Sequence, residues 1–512
     1  MFFQRWTVTV RSHGLWLYPS GLTTIRGLEV RHKSLVKQLS AAFLVAAITA
    51  PAHEQVMAKS FIDDEESVNI ISPSDLGTNL PGGPMGVSAP VAPQRVIPNN
   101  IDLIRAIQLA VEWHPAIAEA IGQLYQQNEN VTIARSGYYP QVSGGFNSGY
   151  DSGLTGNGQS QTFSLSASQM LYDFGKVSSS VDSALARVSG SQAAVLLSID
   201  QVTRDTSYAM IELQRSQLLV ELAGEQIKGI SKIAELAKQR SDMGASTRSD
   251  LIQARSRVEA SEATQLQFQA QFNRWRSALS SLLGAQSPVS VSQGFPTDLE
   301  QSCQGAVPDE AVTPTLLVAQ AQRIDALAQI ALARADALPT VSLDPSVTQY
   351  LDNNDETGVS GGRDRTRYGV FLNVKMPLYQ GGAITARKSA AQQALRSAEA
   401  ANDAARLEVR QSLLEARDQV SSLTQRLSTL DFRERSISET RDLYRQQYLE
   451  LGTRPLLDLL NAEQEIHQAR MDRENTASDL RRLKIDCLYN TGGLRTAFHL
   501  DNSTLQGVEI RP

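Results

Sequence analysis

Two long stretches of the sequence contain no proline. One runs from Gly175 to Gly244 and the other from Gly382 to Gly452, and the second also lacks internal glycine. Because proline breaks helices and glycine weakens them, each stretch is predicted to be one continuous helix. At 1.5 Å per residue, a helix of about 70 residues is roughly 100 Å long. A compact domain is only about 30 Å across, so such helices must lie beside other helices.

The second stretch carries a narrow apolar seam. Its members are spaced alternately by four and three residues: Val409, Leu413, Ala416, Val420, Leu423, Leu427 and Leu430. This spacing aligns them on one side of a helix and is typical of coiled contacts between long helices. The low aromatic content of 6% also favours such seams over one large globular core.

The chain contains an internal repeat with an offset of roughly 200 residues. Its anchors recur in the same order: Pro115, Arg135 and Pro140 as Pro314, Arg334 and Pro339; Met170–Gly175 as Met376–Gly382; Gly244 and Asp250–Ala254 as Gly452 and Asp458–Ala462. Three matches at nearly constant spacing indicate a duplicated unit. Each copy is predicted to have a helix, two strands, a very long helix and a second long helix.

Between the helices, apolar and polar residues alternate in short segments. The apolar positions are Val142, Gly144, Phe146 and Tyr150, then Phe163, Leu165 and Ala167, then the weaker set Val341, Leu343 and Val347, then Tyr368, Val370, Leu372, Val374 and Met376, with Phe371 breaking the last pattern. Each segment has about the length of a tilted membrane strand. The same alternation fits a hairpin on a soluble sheet. Four strands cannot close a barrel, since the smallest need about eight, so a membrane barrel would require several chains.

The sequence argues against catalysis and against nucleic acid as a partner. The net charge is −6, and no polybasic segment is present. The histidines beyond residue 52 are scattered without metal-ligand spacing: His53, His114, His467 and His499. No glycine pair is followed by the Lys-Ser/Thr of a phosphate loop. We therefore predict a non-enzymatic protein without a cofactor. A secreted or periplasmic coiled-coil scaffold is an alternative that explains the helices but not the duplicated strand pairs.

The N-terminal region resembles an export signal. Basic residues at 31–37 precede an apolar run from Leu39 to Ala50, and Ala50-Pro51-Ala52 is a cleavage pattern. The predicted order is a signal peptide with an N-terminal extension (1–52), a Pro/Gly-rich linker (53–99), repeat 1 (100–300), an inter-repeat linker (301–312), repeat 2 (313–495) and a C-terminal tail (496–512). Export would permit a disulfide between Cys303 and Cys487, and two separate thiols are the alternative.

Several motifs together resemble the outer-membrane efflux protein (TolC) family. They are Leu171-Tyr172-Asp173-Phe174-Gly175, Pro377-Leu378-Tyr379-Gln380-Gly381-Gly382 and the segment from Gly452 to Glu463. The resemblance covers roughly residues 100–495. It implies a mixed α/β membrane protein in the outer membrane, in which three chains each give four strands to a twelve-stranded β-barrel. A long α-helical coiled tunnel would continue the barrel into the periplasm.

The resemblance also implies partners and a narrower function. Residues 103–150 are most similar to members that act in type I secretion, especially of large adhesins, with a periplasmic adaptor and an inner-membrane ABC exporter. Members that serve as outer components of tripartite multidrug efflux pumps share the architecture, so that function remains an alternative.

The resemblance further assigns roles to residues in the turns between the long helices. Gly244 and Gly452 mark tip turns that meet the adaptor. Asp458 would form a carboxylate ring at the pore entrance, and Asn461 occupies the place of a second acidic ring in many relatives. Asp250 and Arg454 match a latch that holds the closed state, although helix capping is the alternative for both aspartates. In this fold Cys303 and Cys487 both fall near the middle of the tunnel, which favours their pairing.

Overall fold

The computed structural model describes residues 76–77, 97–98, 100–151, 158–351, 366–501 and 504–510. The predicted signal peptide (1–52) and nearly all of the predicted linker (53–99) lie outside the described residues. The helices are α1 (Leu103–Trp113), α2 (Pro115–Arg135), α3 (Lys176–Asp242), α4 (Arg248–Leu282), α5 (Pro314–Ala335), α6 (Ala383–Gln446), α7 (Leu456–Thr491) and α8 (Leu494–Ala497). The strands are β1 (Leu76–Gly77), β2 (Gln141–Asp151), β3 (Gly158–Tyr172), β4 (Thr340–Tyr350), β5 (Thr366–Lys375), β6 (Thr504–Leu505) and β7 (Val508–Ile510).

The two proline-free stretches form the two long helices, as predicted. Helix α3 has 67 residues and α6 has 64. Each begins after a glycine in the left-handed conformation, Gly175 at φ 92° and Gly382 at φ 86°. At the first junction the carboxylate of Asp173 also accepts hydrogen bonds from the backbone N–H groups of Gly175 and Val177, at 2.9 and 2.6 Å. Asp173 therefore satisfies amide donors at the start of α3, which accounts for one residue of the Leu-Tyr-Asp-Phe-Gly motif.

The order of elements confirms the duplication. Helices α2 and α5 correspond, as do the strand pairs β2–β3 and β4–β5, then α3 with α6, and α4 with α7. Helix α1 precedes α2 and has no counterpart at the start of repeat 2 among the described residues. His114 separates α1 from α2 with ψ at 128°, because Pro115 disfavours a helical conformation in the residue before it.

The four longer strands form one antiparallel sheet in the order β2-β3-β4-β5. Neighbouring strands along the chain are paired, so β2 and β5 are the two edge strands. The apolar positions predicted from alternation lie on one face, and many are well exposed, including Val142 at 67%, Phe146 at 60% and Val370 at 67%. A sheet with an exposed apolar face differs from a soluble hairpin, which would cover that face with a core.

The helices pack side by side. Helix α3 contacts α2, α4, α5 and α7, whereas α6 contacts α5 and α7. The largest apolar cluster lies where α1, α2 and C-terminal residues within 494–501 and 504–508 cover α3, with Ile107, Ile117 and Phe498 fully buried. The seam predicted on α6 is confirmed, since its members are buried or half-buried. None of the described helices is both long and apolar enough to cross a membrane.

Cys303 and Cys487 form a disulfide with their Cα atoms 5.3 Å apart. It connects the segment between the repeats to the last turns of α7. Leu413 and Ala416 of α6 pack against the same two cysteines, so the bond lies inside a small apolar cluster. Beside it, Lys484 of α7 pairs with Glu300, and the hydroxyl of Ser302 donates to the carbonyl of Lys484 at 3.1 Å.

Candidate functional site

The turn between α3 and α4 lies against the turn between α6 and α7, and these two turns are called the tip. Nη1 of Arg240, in the last turn of α3, donates to the carbonyl of Tyr448 at 2.9 Å. The guanidinium also lies 4.7 Å from the centroid of the Tyr448 ring, a cation–π contact. An apolar cluster lies beneath: Ile230, Ile233, Ala237, Ala254, Tyr448, Leu456, Leu459 and Leu460. The two repeats therefore meet at the end of the long helices.

Both predicted tip glycines adopt the left-handed conformation. Gly244 has φ of 72° and Gly452 has φ of 62°. Helix α6 ends in a π-helical turn over Gln447–Leu451, and the amide of Gly452 donates to the carbonyl of Gln447. A residue with a Cβ would be strained at either position, so glycine is what lets the chain reverse here. Their contact with an adaptor remains a prediction.

Asp250 closes a capping box at the start of α4. The Thr247 hydroxyl accepts from the Asp250 amide at 3.2 Å, and the Asp250 carboxylate accepts from the Thr247 amide at 3.2 Å. The Ser246 hydroxyl donates to the same carboxylate at 2.8 Å. The hydroxyl of Ser246, and then the donors of Thr247, hold the pKa of Asp250 below its ordinary value. In the isolated chain, the aspartate therefore has the capping role that was the alternative to the latch.

Arg454 is held by three neighbours from its own chain. Its Nη1 lies 3.1 Å from Oδ2 of Asp458, its Nε donates to Gln447 at 2.9 Å, and its guanidinium stacks 4.4 Å from the Tyr444 ring centroid. Asp250 and Arg454 are not joined to each other within the described chain. The latch between neighbouring helices therefore remains a prediction, now for contacts between chains.

The predicted entrance residues lie on the first two turns of α7. The Asp458 side chain is 34% exposed, so its carboxylate reaches solvent while Arg454 partly compensates its charge. Asn461 is exposed, and its Oδ1 accepts from Nη2 of Arg257 on α4 at 3.4 Å. Arg257 also donates to Gln464. Each chain therefore has one carboxylate at the tip, that of Asp458, whose charge Arg454 partly compensates. The neutral amide of Asn461 lies one turn further along α7.

Near the tip, a cluster of polar side chains was not predicted from the sequence. Its members are Glu463, His467 and Arg441, and it is called the polar node. Glu463 of α7 is 6% exposed, and its carboxylate lies 3.3 Å from Nε2 of His467 and 3.7 Å from Nη1 of Arg441 on α6. Burial raises the pKa of Glu463, but the hydrogen bond with His467 and the charge of Arg441 outweigh burial, and the pKa falls below its ordinary value. The node joins α6 to α7.

The same node depends on a glycine in α3. A Cβ at Gly229 would overlap the carboxylate of Glu463, so the missing side chain makes the space that Glu463 fills. Two signals in the sequence point to this arrangement: a glycine inside a long helix, and a Glu–His pair at i,i+4 spacing. Neither signal identifies the partner across the helix interface.

Among the described residues, no group of three or more His, Cys, Asp or Glu side chains is arranged to hold a metal ion. The side chains at the tip carry charged, hydroxyl, amide or apolar groups that contact one another.

Comparison with known proteins gives one family. The family described as outer membrane efflux protein matches residues 106–285 and 310–483, which include both tip turns. Protein CyaE of Bordetella pertussis is 24% identical over 331 residues, covering 63% of this chain and 69% of CyaE. Nodulation protein T of Rhizobium leguminosarum bv. viciae is 24% identical over 368 residues, covering 69% of this chain and 74% of that protein.

Solved structures share the fold. The crystal structure of the outer membrane protein VceC from Vibrio cholerae has a TM-score of 0.66 and 17% identity, and it covers 76% of this chain and 96% of VceC. At this identity the likeness shows the arrangement of helices and strands alone.

Proposed function

The chain belongs to the outer membrane efflux protein family, and from that premise we propose that three copies form the outer-membrane exit duct of a type I secretion system. The family is one of channel proteins and not of enzymes. In the proposed assembly the four longer strands of each chain contribute to a twelve-stranded barrel in the outer membrane. The long helices continue it as a tunnel in the periplasm, and the tip is its inner entrance.

The observation that carries the proposal is that the sheet has two open edges and that the long helix after one of them contacts only two of the described helices. The edge strands of the sheet are β2 and β5. Helix α2 leads into β2, and β5 leads into α6, whose described packing partners are α5 and α7. Joining β5 and α6 of one chain to β2 and α2 of the next would be a head-to-tail contact, and such contacts close into a ring when the rotation from chain to chain completes a full turn. Such a ring removes the open strand edges that a bilayer does not tolerate.

The faces of the sheet support a membrane position. Its apolar face is exposed in the single chain, as a lipid-facing surface would be. Exposed aromatic residues stand at the strand ends, where they would meet the membrane interfaces: Tyr138, Tyr139, Tyr172, Phe174, Tyr350 and Tyr379. Strands of 10–15 residues are long enough to cross the outer membrane when tilted.

The partners follow from the place of the tip. A periplasmic adaptor would contact the turns at Gly244 and Gly452, and an inner-membrane ABC exporter would deliver the cargo. The sequence has no phosphate-loop motif, so the duct itself would be passive and powered by its partners. Large adhesin-like proteins are the proposed cargo, on the resemblance of residues 103–150 to secretion members. The second candidate is the outer component of a multidrug efflux pump, since that function uses the same architecture.

The entrance is tested by opposite changes of charge at one pair. Asp458→Asn removes the carboxylate, whereas Arg454→Gln removes the cation that compensates it at 3.1 Å. In planar bilayers we expect Asp458→Asn to lower the cation-over-anion permeability ratio and Arg454→Gln to raise it, each by about two- to fivefold. Equal ratios for all three proteins would contradict the assignment of the entrance. Failure of the unmodified protein to insert or conduct would contradict the channel itself.

Secretion is separated from drug efflux in the native host. A deletion strain should lose a large protein from its culture medium while keeping its tolerance to antibiotics and dyes. The matched control restores the unmodified chain to the deletion strain, which should restore export. Normal export together with loss of drug tolerance would favour the efflux candidate.

A further inference from the structure

One charged residue stands in the middle of the four-stranded sheet. Strand β3 carries no charged side chain over Gly158–Tyr172, and β4 carries Asp344 alone. On β5, Arg367 and Lys375 stand near the two ends, and each is four residues from Phe371, the cross-strand partner of Asp344. At about 3.4 Å per residue, these cations are roughly 14 Å away along the strand. That distance exceeds the Debye length of about 8–10 Å in physiological salt. The two cations therefore compensate the charge of Asp344 only weakly.

Asp344 lies on the polar face of the sheet and is held in place there. Its Oδ1 accepts from the hydroxyl of Ser168 on β3 at 2.6 Å, and its Oδ2 accepts from Ser342 at 3.1 Å. Both donors belong to the polar set that alternates with the apolar face. Two hydroxyl donors fix the orientation of the carboxylate, so its charge stays at one position along the strands.

The pairing of β3 with β4 offers a purely structural explanation for this residue. The ladder pairs Ser166 with Ser346 and Gln169 with Leu343 and skips the two positions between them. Pro345 lies in that gap, and proline has no N–H to donate. The hydrogen bond from Ser168 to Asp344 spans the gap and joins the strands there. An asparagine would serve this purpose equally well, because its side-chain oxygen also accepts.

Phe371 completes the layer. It pairs directly with Asp344, so it lies on the polar face, and it is the residue that interrupts the alternation of β5. Its ring lies over Gly369, where a Cβ would come within 2.7 Å of the ring. The side chain is 63% exposed in the single chain. The large apolar ring of Phe371 therefore lies beside the carboxylate of Asp344, on a face that otherwise carries many serines.

We infer that Asp344 is a second residue, after Asp458, that determines the ion selectivity of the duct, and that Phe371 lines the lumen beside it. The inference rests on the proposed function, which turns the polar face toward the lumen. Three chains then place three carboxylates and three aromatic rings at one level inside the barrel, far from Asp458 at the tip. A ring of carboxylates in a lumen attracts cations and repels anions. Anionic solutes that pass the tip would meet a second barrier before they leave.

The test is the reversal potential of single channels under a salt gradient, for the full-length protein beside Asp344→Asn. Asparagine keeps the acceptor for Ser168 and removes the charge. We expect the cation-over-anion permeability ratio to fall by about twofold or more, with unchanged heat stability of the oligomer. Ser164→Ala is the matched control, since it removes a hydroxyl of the same polar face that donates to the carbonyl of Gly145, and it should keep the ratio.

A second variant guards against misfolding of the first. Ser346→Lys leaves Asp344 and Ser168 in place and adds a cation two residues along the same face, so it should lower the ratio as well. If channels form and Asp344→Asn keeps the ratio, whether or not Ser346→Lys lowers it, Asp344 only joins β3 to β4, and the inference fails while the channel stands. If the unmodified protein forms no channels, the proposed function fails first and the inference falls with it.

Discussion

Helices α3 and α6 hold equivalent places in the two repeats, yet one is largely buried and the other is largely exposed. Buried residues occur along α3 from Ser179 to Ala237. On α6 the buried residues are Asn402, Val409, Leu413, Ala416 and Leu430. Helix α3 is covered by α1, α2, α4, α5 and α7, whereas α6 packs against α5 and α7. The duplication therefore gave two similar helices, but α3 is also covered by α5 and α7 of the second repeat, by α1 and by C-terminal residues, whereas α6 contacts the helices of its own repeat.

The difference identifies a surface that a second copy would cover. Helix α6 exposes several large apolar side chains: Leu407 at 65%, Leu414 at 48%, Phe432 at 64% and Leu443 at 51%. Isolated exposed leucines are common, but this set runs along one helix that also borders the open sheet edge β5. In the proposed ring that side meets the next chain. The contrast between the two helices thus becomes a prediction about where substitutions destabilise the chain and where they destabilise the assembly.

The largest effect is expected from one leucine on each helix. Leu213→Ala removes a side chain of α3 that is 1% exposed, and it should destabilise the folded chain by about 2–5 kcal/mol. Leu407→Ala, on the exposed side of α6, should leave the melting of the helices nearly unchanged and lower the temperature at which trimers dissociate on gels. Thermal circular dichroism and gel mobility separate the two results. An unchanged dissociation temperature for Leu407→Ala would contradict the proposed contact.

A smaller effect is expected where α7 meets α3. Gly229→Ala places a methyl group in the space of the Glu463 carboxylate and should destabilise the protein by about 1–3 kcal/mol. Gly224→Ala is the matched control on the same helix, because its nearest neighbour is the flexible end of Gln265 at 3.1 Å. That change should be neutral or should stabilise the helix by about 0.5–1 kcal/mol. Equal melting temperatures for the two variants would mean that Glu463 moves aside at little cost.

The smallest effect compares the two tip turns. Thr247→Ala breaks the capping box of α4 and should cost about 1 kcal/mol locally. Thr453→Ala is its control, because α7 begins after Pro455 with no side-chain cap. Hydrogen exchange of peptides covering 243–250 and 450–458 measures each turn by itself, and about fivefold faster exchange is expected in the first alone. Similar acceleration in both turns would show that the capping box does not stabilise the first turn specifically.

The same turn gives a dependence on pH. The pKa of Asp250 in the folded chain lies below its ordinary value, so the unfolded chain binds the proton more readily. Its share of the stability is therefore complete above about pH 4 and is lost as the pH falls through the lower, folded-state value. The protection of residues 243–250 should weaken in acid in the unmodified protein and depend less on pH in Asp250→Asn.

How far the sequence predicts the molecule depends on the range of the interaction. The long helices, the four strands and the tip glycines follow from local rules: absence of proline, alternation, and the need for positive φ. Partners across helices do not. The latch at Asp250 and Arg454 stays a prediction, and the pair that Arg454 forms with Asp458 was not predicted, although the i,i+4 spacing permits it. Glu463 was missed because its space is created by a glycine more than two hundred residues away in the chain.

The disulfide closes the second repeat into a covalent loop, whereas no disulfide among the described residues closes the first repeat. Cys303 and Cys487 are separated by 184 residues, and the chain between them contains α5, β4, β5, α6 and most of α7. These elements therefore form a closed covalent ring. A single cut by a protease in the turn at Gly452 would open the tip, yet both fragments would stay attached through the sulfur bond. The second repeat can thus lose the continuity of its backbone at the tip, while the disulfide keeps all of its elements attached to the chain.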